Sequence, residues 1–173
     1  VGRGGSGNNT NTAVGYRTLY YNTTGRDNTA IGYESLHENI SGEFNVAIGV
    51  NAMRKNNNNN NIDIGWNALQ NNSTGEQNVA IGSNALSQVD IGNNNIAIGY
   101  TAMQYMTQNT GSSSPTSNIG IGFQSLLYRR GSGNVGIGSQ SLQGNSANQT
   151  LNTGQYNTAI GDNALSANTS GAN

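Results

Sequence analysis

Asn28-Thr29-Ala30-Ile31-Gly32-Tyr33-Glu34-Ser35-Leu36 decides how this chain folds. The same nine-residue block begins again at Asn11, Asn45, Asn61, Asn78, Asn95, Asn118, Asn134 and Asn157, giving nine copies in 173 residues. Its glycine serves as a ruler: Gly15, Gly32, Gly49, Gly65, Gly82, Gly99, Gly122, Gly138 and Gly161 follow one another at 17, 17, 16, 17, 17, 23, 16 and 23 residues. The period is therefore 17, with slips of one and two insertions of six, near Thr107–Ser114 and Gly144–Thr150. A fixed period of this length marks a stacked-repeat architecture.

Within the block each position has its own chemistry. Position two is Thr12, Thr29, Val46, Ile62, Val79, Ile96, Ile119, Val135 and Thr158, and position four is Val14, Ile31, Ile48, Ile64, Ile81, Ile98, Ile121, Ile137 and Ile160. Every one is β-branched. Such side chains favour extended backbone, and residues two apart share one side of a strand, so the block predicts a strand with one apolar face. That face is expected to form the repeat core. The opposite face carries Ala or Gly at position three, except Asp63, and Gly at position five throughout. Small residues there imply close approach of another backbone, or a glycine in a bulge or at positive φ.

Position nine is always Leu or Met, from Leu19 to Leu165, and supplies a second inward contact. A polar linker with a Gly turn follows in most copies, as in Asn22-Thr23-Thr24-Gly25 and Ser73-Thr74-Gly75. Seventeen residues accommodate two short strands and two turns, one coil of a parallel β-solenoid. At about 4.8 Å per coil, nine coils make a rod of about 43 Å. The asparagines at position one then stack into an amide ladder. A helix starting at Ala68-Leu69 is disfavoured, since Asn and Gly crowd every segment.

Composition agrees with a repeat and excludes several functions. Only 33% of the chain is hydrophobic and 9% charged, with 25 glycines, so neither an ordinary core nor a charged disordered tail describes it. Net charge is −1 with scattered basic residues, which leaves no stripe for nucleic acid. The absence of cysteine removes disulfides and thiolate chemistry, and no apolar run approaches the length of a membrane helix. No secretory signal is present, and the opening at Val1 rather than Met suggests a processed product or an excerpt of a longer polypeptide. The expected organisation is a connecting segment over 1–10 and one repeat domain over 11–173.

The motif Asn-(Thr/Val)-Ala-Ile-Gly-(Tyr)-x-(Ala/Ser)-Leu, followed by Asn-Thr-Thr-Gly, resembles two related groups over nearly the whole chain. One is the head repeat of trimeric autotransporter adhesins, a left-handed parallel β-roll in which three chains share a core. The other is the repetitive shaft of phage tail fibres, which the 17-residue period favours. The resemblance implies a homotrimer with either the Ala/Gly or the isoleucine positions near the threefold axis. It also implies a place outside the cell, at a cell surface or on a virion. From the residues alone, a monomeric solenoid and an end-to-end filament stay open.

Candidate chemistry is sparse. The lone His37 follows Leu36 in a polar turn and reads as a surface residue; the acidic residues form no recurring pair, and no cofactor or metal is expected. Asp63 breaks the small-residue rule beside the Asn56–Asn61 run and marks an ion, a local opening or a tolerated irregularity. Aromatic residues at position six, Tyr16, Tyr33, Trp66, Tyr100 and Phe123, align on one flank, where they serve as packing or as candidate ligand-facing rings for a surface glycan. Sequons at Asn22, Asn39, Asn71 and Asn148, with others at Asn8, Asn72 and Asn168, are candidate glycosylation sites in turns. The expected function is non-enzymatic: a structural fibre segment, with a glycan-binding adhesin or a filament subunit as the alternatives.

Overall fold

A computed structural model describes residues 10–88, 92–106, 114–147 and 152–171, which leaves most of the 1–10 segment and parts of both insertions outside the described residues. Each block carries one strand: β1 Thr12–Val14, β2 Thr29–Ile31, β3 Val46–Ile48, β4 Ile62–Ile64, β5 Val79–Ile81, β6 Ile96–Ile98, β7 Ile119–Ile121, β8 Val135–Ile137 and β9 Thr158–Ile160. They form one parallel sheet in sequence order. Register never slips: Ala30 lies opposite Ala47, and Ile98 opposite Ile121 across the first insertion. The protein is an all-β solenoid, in which each strand's block faces the same block of the next coil.

Two features differ from the expectation. First, the coil has one strand, not two. After the strand, the chain enters a run of turns in which positions seven and nine take left-handed backbone, as in Glu34 (φ 52) and Leu36 (φ 48). Left-handed backbone costs roughly 1–2 kcal/mol per L-residue. Here it lets the run stack as a sheet would: Glu34 N–H donates to Tyr16 O at 2.9 Å in the coil before, and Leu36 N–H to Ala52 O at 3.0 Å in the coil after. Each run that lies between two others is thereby bonded on both sides.

Second, the two faces of the strand are reversed. The inward residue is the small one at position three, with Ala30, Ala47, Ala80 and Ala97 fully buried. The branched residues point out: Ile31 is 38% exposed, Ile64 40% and Ile160 71%, while Ile48, Ile81, Ile98 and Ile121 are half-buried and Val14 and Ile137 exposed. They are therefore not the core of the coil. Its lumen is narrow, and Leu36, Met53, Leu69, Leu86, Met103, Leu126 and Leu142 fill it from the turn run, leaving room for a methyl opposite. At Gly120, which replaces that alanine, an added Cβ would already stand 2.9 Å from Met103 Cγ and 3.1 Å from Leu126 Cδ1. An isoleucine cannot fit there.

The glycine ruler has both expected causes. Gly82 has φ +128, and a Cβ on it would stand 2.5 Å from the carbonyl oxygen of Gly99 in the next coil. The same stacking of glycine on glycine recurs from Gly15 to Gly138.

Candidate functional surface

Polar residues close the coil from within. Asn28 N–H donates to Asn11 Oδ1 at 2.9 Å, Asn45 N–H to Asn28 Oδ1 at 2.9 Å, and the series continues unbroken to Asn157 N–H on Asn134 Oδ1 at 3.1 Å. Several of these amides also reach a Gly turn, as Asn28 Nδ2 does to Gly42 O at 2.8 Å and Asn134 Nδ2 to Gly154 O at 2.9 Å. The ladder crosses the first insertion without a break, with Asn118 N–H on Asn95 Oδ1 at 3.0 Å. A position-eight hydroxyl adds a bond between coils where it occurs: Ser35 Oγ donates to Ala47 O at 2.9 Å and Ser125 Oγ to Gly136 O at 2.8 Å.

The sequon asparagines form a second ladder, and this overturns two glycosylation candidates. Asn22 and Asn39 are buried. Asn22 Nδ2 donates to Gly25 O at 2.9 Å; Asn39 Nδ2 donates to Gly42 O at 3.0 Å and to Asn22 Oδ1 at 3.2 Å. A nitrogen enclosed and engaged in this way is not open to a glycan in the folded rod. Asn72 continues the pattern, donating to Asn56 Oδ1 at 2.9 Å. Asn71 is half-buried and donates to Ser87 O at 3.0 Å, whereas Asn148 and Asn8 lie outside the described residues. The signal was present as Asn-x-x-Gly in Asn22–Gly25, Asn39–Gly42 and Asn72–Gly75.

Outside the coil, position-six aromatics sit beside the branched columns. Tyr16, Tyr33, Trp66, Tyr100 and Phe123 are all 46–59% exposed. Tyr16 and Tyr33 stack at 5.4 Å and 16°, and Tyr100 and Phe123 at 5.8 Å and 8°. Between these pairs Val50, Trp66 and Ser83 occupy the column, so the flank is two ring pairs rather than one continuous ladder. Positions two, four and six together give one long apolar face. Contiguous exposed apolar surface of this kind is uncommon on monomeric proteins.

Charge gathers at the first coils. Glu34 receives Arg54 Nε at 2.9 Å and lies 3.6 Å from Arg17; Arg54 also meets Glu38 at 2.8 Å, and Arg26 meets Glu43 at 3.0 Å. The hydrogen bond from Arg54 holds the Glu34 carboxyl below its ordinary range. His37 is buried rather than on the surface as its polar turn suggested: its ring stacks on Tyr20 at 5.5 Å and meets Tyr21 edge-on at 5.0 Å. Burial lowers its pKa.

No protein-family model, curated protein or solved structure matches this chain.

One buried cation has no counterpart in the repeat pattern. Arg129 occupies the place of the second asparagine ladder, fully buried, with Nε on Leu142 O and Nη1 on Thr169 O, both at 3.3 Å. Burial pushes its pKa down to about 10. It ties its coil to the next one and to the turn after β9. Among the described residues, no three His, Cys, Asp or Glu side chains gather to hold a metal ion, and no helix is long and apolar enough to cross a membrane.

Proposed function

We propose that this chain is a structural, non-catalytic segment of an extracellular or virion fibre, a shaft or head in which three copies share a core along their branched faces. One observation carries the reading: the coil satisfies its interior with alanine, leucine and asparagine, yet aligns nine pairs of β-branched residues on its outside in strict register. A face of that kind gains by burial at about 25 cal/mol per Å² of apolar surface. A second copy of the same rod offers the matching periodicity. The likeness to adhesin heads and tail-fibre shafts supports three chains, a left-handed coil and a place outside the cell. A rod about 43 Å long, stiffened by contacts between neighbouring coils, holds a distal tip away from its anchor.

Solution mass tests this reading. Sedimentation equilibrium should give three times the 18.0 kDa of one chain. A mass of one chain at micromolar concentration would refute the shared core.

A second reading rests on the ring pairs. Tyr16 with Tyr33, and Tyr100 with Phe123, leave aromatic faces exposed beside the rod, a surface suited to stacking against sugar rings. Replacing Tyr33, Trp66 and Tyr100 together should abolish glycan-array binding while the fold persists, if this flank is an adhesin surface. Unchanged binding leaves the flank a packing surface. An end-to-end filament would instead show masses that climb with concentration beyond three chains.

A further inference from the structure

We propose that the fourth coil is a pH-governed weak point of the rod, where Asp63 stands in the alanine column as a neutral carboxylic acid and loosens the stack once its proton is lost. Asp63 pairs in register with Ala47 on one side and Ala80 on the other, and it is 0% exposed. Neither carboxyl oxygen has a hydrogen-bond partner. The Met53 N–H approaches the group but is already donated to Ala68 O at 3.2 Å.

The surroundings explain why nothing compensates the carboxyl. In the eighth coil, a Cβ at the equivalent Gly136 would stand 2.9 Å from Ser125 Oγ and 3.0 Å from Ser141 Oγ, the hydroxyls at position eight. Around Asp63 those same two places are Ala52 and Ala68, so the donors are missing. The position-nine neighbours are Met53 and Leu69, both buried and apolar. The elements packed on β4 are β3, β5 and the turn runs that follow β3, β4 and β5. Apart from Asp63 their only ionisable side chains are Arg54, which is held by Glu34 and Glu38, and Lys55, which is exposed. Among the described residues, no cation is placed to offset a carboxylate.

An ionised carboxylate in such a site is costly enough that the group stays protonated instead. Burial accordingly pushes its pKa well above the ordinary carboxylate value. The sign follows from proton counting. Between the ordinary carboxylate range and the raised native value, the folded chain holds a proton that the unfolded chain has released. Stability is fully present at acid pH and is lost as pH rises. Because a solenoid is held together by contacts between neighbours, the loss falls on the junctions of β4 with β3 and β5. The group lies inside a single coil, so the inference does not depend on how many chains assemble.

The test is unfolding of the full chain, as it assembles, from about pH 4 to pH 8, comparing wild type with Asp63→Ala and Asp63→Asn. Alanine is the residue most other coils carry at this position, so the first variant fits the lumen. His37 and Glu34 titrate alike in all three chains and cancel in the differences. The unfolding constant of wild type relative to Asp63→Ala should rise by up to about tenfold per pH unit above the ordinary carboxylate range, and level off below it. Asp63→Asn cannot ionise and should show the same pH dependence relative to wild type. An Asp63→Ala advantage that stays constant from acid to neutral pH, or an Asn variant that tracks wild type, would overturn the proposal.

Discussion

The backbone N–H of Asn78 donates to Asn61 Oδ1 at 3.0 Å, and the Asn78 side chain passes the same bond on, its own Oδ1 accepting from Asn95 N–H at 2.9 Å. Between Asn28 and Asn134 each ladder asparagine thus both gives and receives a bond along the axis.

Asn78→Ala should therefore destabilise far more than a surface Asn→Ala change. It leaves the buried Asn95 N–H without its acceptor, takes one acceptor from Asn95 Nδ2, and removes the Nδ2 donor from Asn61 Oδ1, which keeps the backbone N–H of residue 78. The unsatisfied buried N–H costs about 1–3 kcal/mol and each further buried bond lost about 0.5–1.5 kcal/mol, so a loss of about 2–4 kcal/mol is expected by chemical denaturation. A change below about 0.5 kcal/mol, the usual range for surface sites, would mean the ladder is ornamental.

Gly82 and Gly161 separate backbone strain from collision. Both have φ +128, but a Cβ on Gly82 meets Gly99 O at 2.5 Å, whereas on Gly161 it meets only Ala164 Cβ at 4.0 Å. Gly161→Ala should cost the backbone term alone, about 1–3 kcal/mol. Gly82→Ala should cost clearly more, and Gly82→Val should prevent cooperative melting. Equal melting temperatures for the two alanine variants would remove the close approach from the account.

His37 gives the acid side of the pH profile. Burial depresses its pKa, so its contribution is present above the ordinary histidine value and is lost as pH falls through the lower native one. His37→Phe keeps a ring against Tyr20 and cannot titrate. Melting of this variant should lose less stability than wild type as pH falls below about 6.5; parallel curves would exclude His37 as the source.

The repeat, its register and the asparagine ladder could be read directly from residue spacing, because a period of 17 repeats the same chemistry at each level of the stack. Which face points inward could not. Alternation distinguishes Ile31 from Ala30 without saying which is enclosed, and the habit of placing the larger apolar residue inside failed because Leu36 already fills the lumen. The stacked turn run was also hidden: leucine is not a residue from which left-handed backbone is expected, yet Leu36 adopts φ 48 because its side chain is the core. His37 looked exposed because its neighbours in sequence are polar, whereas its neighbours in space are Tyr20 and Tyr21 from the preceding coil. Of the candidate surface, the position-six spacing places the exposed rings on one flank, whereas alternation alone does not tell which side the branched column beside them takes.

The inside-out coil makes its strongest demand on Ile81 and Ile98, which lie side by side on the outer face at the middle of the rod. Replacing both with Asp should leave the solenoid's circular dichroism in place while the mass by light scattering drops from three chains to the 18.0 kDa of one. A double variant that keeps the wild-type mass would contradict a shared branched core, and one that loses its fold while monomeric wild type keeps it would put those isoleucines back inside the coil.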